Sequence, residues 1–373
     1  MDIRWNRLIG QERIRDVFSS ALASGTLGHA YMLCGETGTG TFAAALEMAM
    51  ALHCTDDTVK PCGGCAGCRK VLSFNHPDFH IVMPLALQKE HKASDGKITE
   101  AGWDELVAQV KLRIADPYYL PEYTSIPSIP VDWIREVTHA IRRGATENGR
   151  NVIIIDGINT MQQESANAML KTLEEPPPQT VFLLCTPQLH TVLPTIVSRC
   201  QILRFSMLSP EQVKTEMVRR FSVSENDPRL DEVMYCGSIT RACQLFTAQE
   251  TDTARITADF LRAISSGEMP GMFSMIDSLD SANDFSLFES IFTRIMYGIR
   301  NAFFEKMDGT ENYIMGDRSL AEVLGAIPGP HAAEKLVRLC ETAISQIRAR
   351  ANPALVMTQF AFSVMEFFNE QKQ

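Results

Sequence analysis

No stretch of this 373-residue chain approaches eighteen uninterrupted apolar residues, so the sequence predicts no membrane span. The opening residues, Met1-Asp2-Ile3-Arg4-Trp5-Asn6, have no apolar core of a secretory leader. The two absences together lead us to expect a cytoplasmic protein. Positive charge is also short: 35 Lys and Arg against 45 Asp and Glu leave a net charge of −10. That balance argues against a general nucleic-acid coat protein while leaving room for a local basic patch.

The absence with the sharpest consequence is local. Gly35-Glu36-Thr37-Gly38-Thr39-Gly40-Thr41-Phe42 has the frame of a phosphate-binding loop, following the apolar run Ala30-Tyr31-Met32-Leu33-Cys34 and opening an alanine-rich helix. Where such a loop carries lysine this one has Thr41, and where it carries a Ser/Thr hydroxyl it has Phe42. The lysine neutralises the β- and γ-phosphates and the hydroxyl ligates Mg²⁺. A second loss matches the first. The apolar run Asn151-Val152-Ile153-Ile154-Ile155 ends in Asp156, where a nucleotide-hydrolysing domain holds Mg²⁺, but Gly157 follows where many such domains place a catalytic glutamate. Glu164, Glu174 and Glu175 lie on or after the next helix and do not take that place. We therefore expect the loop to keep its fold and this chain to bind no ATP. Weak phosphate contact from the N–H groups of Gly38, Thr39 and Gly40 stays open, as does the plainer reading of Asp156 as a strand cap.

What the sequence does have in concentration is cysteine. Ten cysteines in a reducing compartment point to metal or buried thiols rather than disulfides. Cys62-Gly63-Gly64-Cys65-Ala66-Gly67-Cys68 sets three thiols at two-residue gaps, and Cys54 ends the preceding helix. Four thiolates suit a closed tetrahedral structural zinc site with no open position for catalysis. An iron–sulfur cluster or free thiols are the alternatives.

Hydrophobic content of 45% and charged content of 21% are ordinary for a soluble chain long enough for two or three domains. Apolar spacing predicts a helix over about 10–27, with Ile14, Val17, Phe18, Ala21 and Leu22 on one face and Gly25 as its stop. Strands are expected at 30–34, 78–83, 151–156, 180–186 and 201–205, alternating with helices at 41–53, 131–143 and 161–174. That alternation gives an α/β domain with a mostly parallel sheet. Between them, 85–130 reads as a surface insertion: an exposed loop around Lys89 to Lys97, helical spacing from Thr99 to Ala115, then Pro117, Pro121, Pro127 and Pro130. Beyond Ser209 the pattern is helical, with a break near 266–285. The expected domains are 1–207 with the zinc module (54–68) inside it, a helical lid at 208–268 and a helical collar at 269–373.

Taken alone, Arg199 in Ser198-Arg199-Cys200 is a surface charge at a turn, and Arg241, at the start of a helix, is best read as part of a structural salt bridge. Arginine does suit insertion into a neighbour's phosphate site, where its planar fork stabilises developing charge. The methionines and the C-terminal aromatics, Phe273, Phe288, Phe292, Phe360 and Phe362 among them, fit helix packing, with a subunit interface as the second choice.

Several motifs together resemble the bacterial clamp-loader AAA+ subunits of DNA polymerase III, the gamma/tau/delta prime group. They are Ile9-Gly10-Gln11-Glu12 followed by Gly28-His29-Ala30-Tyr31-Met32-Leu33, the cysteine knot, Ala166-Asn167-Ala168-Met169-Leu170-Lys171-Thr172-Leu173-Glu174-Glu175-Pro176-Pro177, and Ser198-Arg199-Cys200. The resemblance covers about 1–205 and implies a parallel-sheet AAA+ domain, a lid and a collar. It makes Arg199 a trans-acting arginine finger offered to ATP in an adjacent gamma subunit, and it puts Thr186 at a sensor position. It further implies a pentamer with gamma/tau and delta subunits that opens a sliding clamp and places it on primed DNA. Thr41 and Phe42 favour the delta prime branch of the group over gamma. The leading expectation is a non-hydrolysing clamp-loader subunit. A gamma-like ATPase with an altered loop and a stand-alone zinc-containing DNA-repair interaction protein are the rivals.

Overall fold

In the computed structural model the described residues are 2–86, 97–121, 127–147, 149–247, 250–280, 287–299 apart from 289 and 297, 330–348 and 351–370. Most of the exposed loop expected around Lys89 to Lys97 lies outside them. The chain divides into two compact units. One comprises residues 1–213 with 236–242, and the other comprises 214–235 with 243–373.

The first unit is built on β2 (Ala30–Cys34), β4 (Phe79–Val82), β5 (Asn151–Ile155), β6 (Thr180–Thr186) and β7 (Gln201–Arg204). A further short pair, β1 (Asp2–Ile3) and β3 (Val59–Lys60), runs parallel beside the N-terminus. The five strands form one all-parallel sheet in the order β4-β5-β6-β2-β7. Every residue of β2, β5 and β6 is buried, as expected of central strands covered by helices on both faces. β7 is an edge strand and buries only Leu203.

The helices of this unit are α1 (Glu12–Ser24), α2 (Thr41–His53), α3 (Ala66–Leu72), α4 (Glu100–Ala115), α5 (Val131–Arg142), α6 (Gln163–Glu174) and α7 (Pro194–Val197). Gly25 ends α1 in the left-handed conformation (φ 70°), the stop its sequence position suggests. All thirteen residues of α2 are buried, the consequence of a helix that is apolar on every side. Its one carboxylate, Glu47, accepts hydrogen bonds from the backbone N–H groups of Asn6, Arg7 and Leu8 at 2.5–3.1 Å and so pins the N-terminal segment. Burial pushes the Glu47 carboxyl above the usual range, with those three N–H bonds and Arg15 opposing.

The stretch expected as a surface insertion also sends a face inward. Leu106, Val110, Arg113 and Ile114 of α4 are buried, and so is Tyr118 just beyond it.

The second unit is helical where described, as the pattern after Ser209 predicts, but the helix Met269–Asp280 occupies most of the break expected near 266–285. α8 (Pro210–Phe221), α9 (Pro228–Val233), α10 (Ile239–Thr247), α11 (Glu250–Ser266) and α12 (Met269–Asp280) lead to α13 (Pro330–Arg348) and α14 (Pro353–Glu370). α8 and α10 each carry residues of both units. The core of the second unit gathers Phe260, Phe288, Phe292 and Phe360, with Phe292 edge-on to Phe360 at 5.0 Å.

Candidate functional site

β2 is flanked by β6 on one side and β7 on the other, so the strand order reverses at its end. In open parallel sheets the ligand crevice lies at that switch point, outside the carboxyl ends of the strands. The glycine loop leaves β2 there. Gly38 and Gly40 adopt left-handed φ values of 84° and 106°, which a side chain would strain. The loop has kept the backbone shape of a phosphate cradle.

The residues that close the loop and open α2 are packed into the unit. Thr39, Thr41 and Phe42 are buried, Phe42 to 1% exposure. A Cβ on Gly40 would meet Leu8 at 2.7 Å and the Tyr118 hydroxyl at 3.2 Å. On the other flank, Ser238 donates to the carbonyl of Thr37 at 2.7 Å, and the Ile239 N–H donates to that of Gly38 at 3.0 Å. Arg241, two residues on, has its own N–H on the Ser238 hydroxyl at 3.2 Å.

Asp156 stands at the end of β5, and its partner is Arg113 of α4, whose Nε lies 3.0 Å from a carboxylate oxygen. The same guanidinium sits over the ring of Phe42, 4.6 Å from its centroid, a cation–π contact. Its Nη1 donates to the carbonyls of Pro117 (2.8 Å) and Tyr119. Gly157, the position without its glutamate, has φ 69° and leaves only 3.2 Å between a built Cβ and Pro84. A glutamate there would be strained. Thr186, at the end of β6, is buried and spends its hydroxyl on Gln188, donating to its carbonyl at 3.1 Å. The structure therefore brings Phe42 and Asp156 together through Arg113, a residue that sequence reasoning passed over.

Arg199 belongs to a different constellation. It follows α7 in a turn, its N–H bonded to the Ile196 carbonyl. Its guanidinium donates to the Thr195 carbonyl and, at 2.7 Å, to Glu174 at the end of α6. Ser198 is 3.3 Å from the same guanidinium. The Cys200 thiol faces the Ile196 carbonyl, and burial pushes it up to about 12, so it is not a reactive thiol. About a third of the Arg199 side chain remains exposed, against 7% for Arg113.

The cysteines come together as their spacing predicts. The sulfurs of Cys54, Cys62, Cys65 and Cys68 all lie within 4.8 Å of one another, a cluster able to hold a metal ion. Backbone N–H groups point at the sulfurs: Cys62 to Cys54, Cys65 to Cys62 and Cys68 to Cys65, at 3.3–3.4 Å. Gly67 makes the approach possible, since a Cβ there would lie 1.9 Å from the His53 carbonyl oxygen. The absence of a side chain lets α3 abut the end of α2. Burial raises the Cys54 and Cys68 thiols. Burial works the same way on Cys65, but N–H bonds from Cys68 and Thr55 prevail and bring it to about 6. Four thiolates this close repel one another, and a divalent cation relieves that repulsion.

Residues 10–209 match a family profile described as DNA polymerase III, delta subunit. The chain is 28% identical to the DNA polymerase III subunit delta' of Bacillus subtilis over 231 residues, 62% of this chain and 58% of that protein. It is 27% identical to the subunit tau of the same organism over 215 residues, 57% of this chain and 31% of tau. The chain thus spans less than two thirds of the relatives it matches. A DNA polymerase III gamma subunit-related protein of Thermotoga maritima superposes with a TM-score of 0.48 at 14% identity, over 96% of this chain and 99% of that one.

Proposed function

The chain belongs to the DNA polymerase III delta-subunit family, and from that premise we propose that it is a non-hydrolysing, delta prime-like subunit of a clamp loader. It joins gamma or tau and delta subunits in a pentamer, offers Arg199 to ATP bound in a neighbour, and helps place a sliding clamp on primed DNA in the cytoplasm. The observation that carries this reading is the contrast at the two arginines. Beside the chain's own degenerate loop, Arg113 is locked on Asp156 and over the ring of Phe42, with Tyr118 packed at Gly40. Arg199 stays at the surface on a carboxylate that a phosphate can displace.

The finer architecture belongs to the same proposal. Residues 1–207 form an AAA+ domain, 208–268 a lid and 269–373 an oligomerising collar. The four cysteines hold one structural zinc that fixes the 54–68 knot and takes no part in chemistry. Elemental analysis of purified protein should find one zinc per chain, and finding none removes the zinc assignment.

The functional test is a complex reconstituted with gamma and delta partners. R199A should assemble normally and lose most of the complex's clamp- and DNA-stimulated ATPase. An unchanged rate, with assembly verified, ends the arginine-finger role. The similarity to tau keeps a gamma-like ATPase in view. Titration of the isolated chain with a fluorescent ATP analogue separates the two, because Mg²⁺-dependent binding with turnover belongs only to the ATPase.

A further inference from the structure

We infer that Arg113 is a built-in cation that closes the degenerate nucleotide site, standing at the strand-terminal carboxylate where a nucleotide-binding domain puts its divalent ion. The inference deepens the non-hydrolysing reading and rests on it.

In a working site the metal lies between the carboxylate ending the strand and the hydroxyl opening the loop helix. Here both of those positions face one guanidinium. Asp156 takes its Nε at 3.0 Å, and Phe42, standing where the hydroxyl would be, offers the face of its ring at 4.6 Å. A phenyl ring cannot ligate Mg²⁺, but it does hold a guanidinium. The substitution at position 42 is therefore more than a loss: it supplies half of the seat for a different cation. The fork is held from behind by the carbonyls of Pro117 and Tyr119, so it cannot swing away without leaving the buried Pro117 acceptor unpaired.

The segment that follows completes the closure. Tyr118 puts its hydroxyl against Gly40, accepts the Ile9 N–H at 3.1 Å and, through its carbonyl, the Thr240 hydroxyl at 2.6 Å. One stretch, 113–119, thereby ties the loop, the end of β5 and the N-terminal segment together. This gives the stretch 85–130 a defined task in at least part of its length. The task is steric and electrostatic exclusion of a metal–nucleotide pair from a loop whose backbone could otherwise cradle phosphate.

Restoring the loop alone should then not be enough. T41K/F42S, with Arg113 kept, should bind a fluorescent ATP analogue in Mg²⁺ no better than the unaltered chain. Adding R113M should tighten Mg²⁺-dependent binding about tenfold or more, a factor of ten being about 1.4 kcal/mol. R113Q in the same background, which keeps a donor for the Pro117 carbonyl, should act in the same direction. It serves if the methionine variant does not hold its fold, as judged by thermal melting and metal content. Equal affinity with and without Arg113, no binding in either included, overturns this inference alone. Tight Mg²⁺-dependent binding by the unaltered chain overturns the non-hydrolysing reading as well.

Discussion

Arg113 and Arg199 each pair with a carboxylate, and the shorter contact is the weaker one. Arg199 lies 2.7 Å from Glu174 with both side chains substantially exposed, whereas Arg113 lies 3.0 Å from Asp156 with both nearly covered. Distance does not decide here; dielectric and desolvation do. An exposed pair gains little over its hydrated halves, from nothing to about 1 kcal/mol. A buried pair is a poor source of net stability, yet losing one member is costly because the other is left as an unpaired charge. One arginine is thus committed to the fold, and the other is held loosely at the surface.

The largest effect should come from breaking the loose one. A trans-acting arginine contributes about 10³-fold or more to phosphoryl transfer, or about 4 kcal/mol of barrier. In the reconstituted complex R199A should lower ATPase on that order while shifting the chain's own unfolding free energy by less than about 1 kcal/mol. Steady-state turnover and urea denaturation, read side by side, check both halves. A large stability loss with little change in turnover would invert the comparison.

Breaking the committed arginine should give the opposite pattern. R113M leaves Asp156 covered and unpaired and deprives two backbone carbonyls of a donor, so we expect a loss of about 3 kcal/mol in urea unfolding. D156N should cost less, since the guanidinium keeps its carbonyl partners. A double-mutant cycle isolates the coupling. Near-additivity would mean that the pair contributes only as two separate packing residues.

The sequence carries a signal for the burial of Arg113 and none for the contact between Arg199 and Glu174. Leu106, Val110 and Arg113 recur at the i, i+4, i+7 spacing of one helix face, so α4 places a charge on its own apolar stripe. Composition alone does not distinguish that charge from a solvated one. Read by position, it needed a buried acceptor, and Asp156 was available. Glu47 is the same case, a single carboxylate in a helix otherwise apolar on every side. The cysteine knot, the central strands and the glycine stop after α1 were legible because each is set by local chemistry or by an unbroken period. The pair β1 and β3 was not: two residues each, with no period to read, they find each other across more than fifty positions. The Arg199–Glu174 contact likewise joins the end of α6 to the turn after α7, a spacing that follows no helix or strand rule.

A smaller signature should appear with pH, on the buried side only. Glu47 pins the N-terminal segment that contributes Leu8 to the loop, and burial raises its carboxyl. A folded-state value above the unfolded one means that its contribution is full below the unfolded value and is lost as pH rises through the folded value. The difference in stability between the unaltered chain and E47Q should therefore shift against the unaltered chain as pH climbs from about 4.3. A difference that stays flat across that interval would mean that the three N–H donors fully offset the burial.

The smallest change should come from E174Q, and it tests the loose arginine most directly. The substitution removes the charge but keeps an oxygen that can accept from Arg199. Stability should move by about 0.5 kcal/mol or less, and molar salt should shrink even that, since the screening length falls to about 3 Å at 1 M ionic strength. If Glu174 only parks Arg199 until a phosphate is presented, then weakening the resting pair lowers the work of transfer. The complex should then reach half-maximal ATPase at slightly lower ATP with its maximal rate unchanged. If Glu174 instead orients the fork for the transition state, the maximal rate itself falls, and Arg199 is no less committed than Arg113.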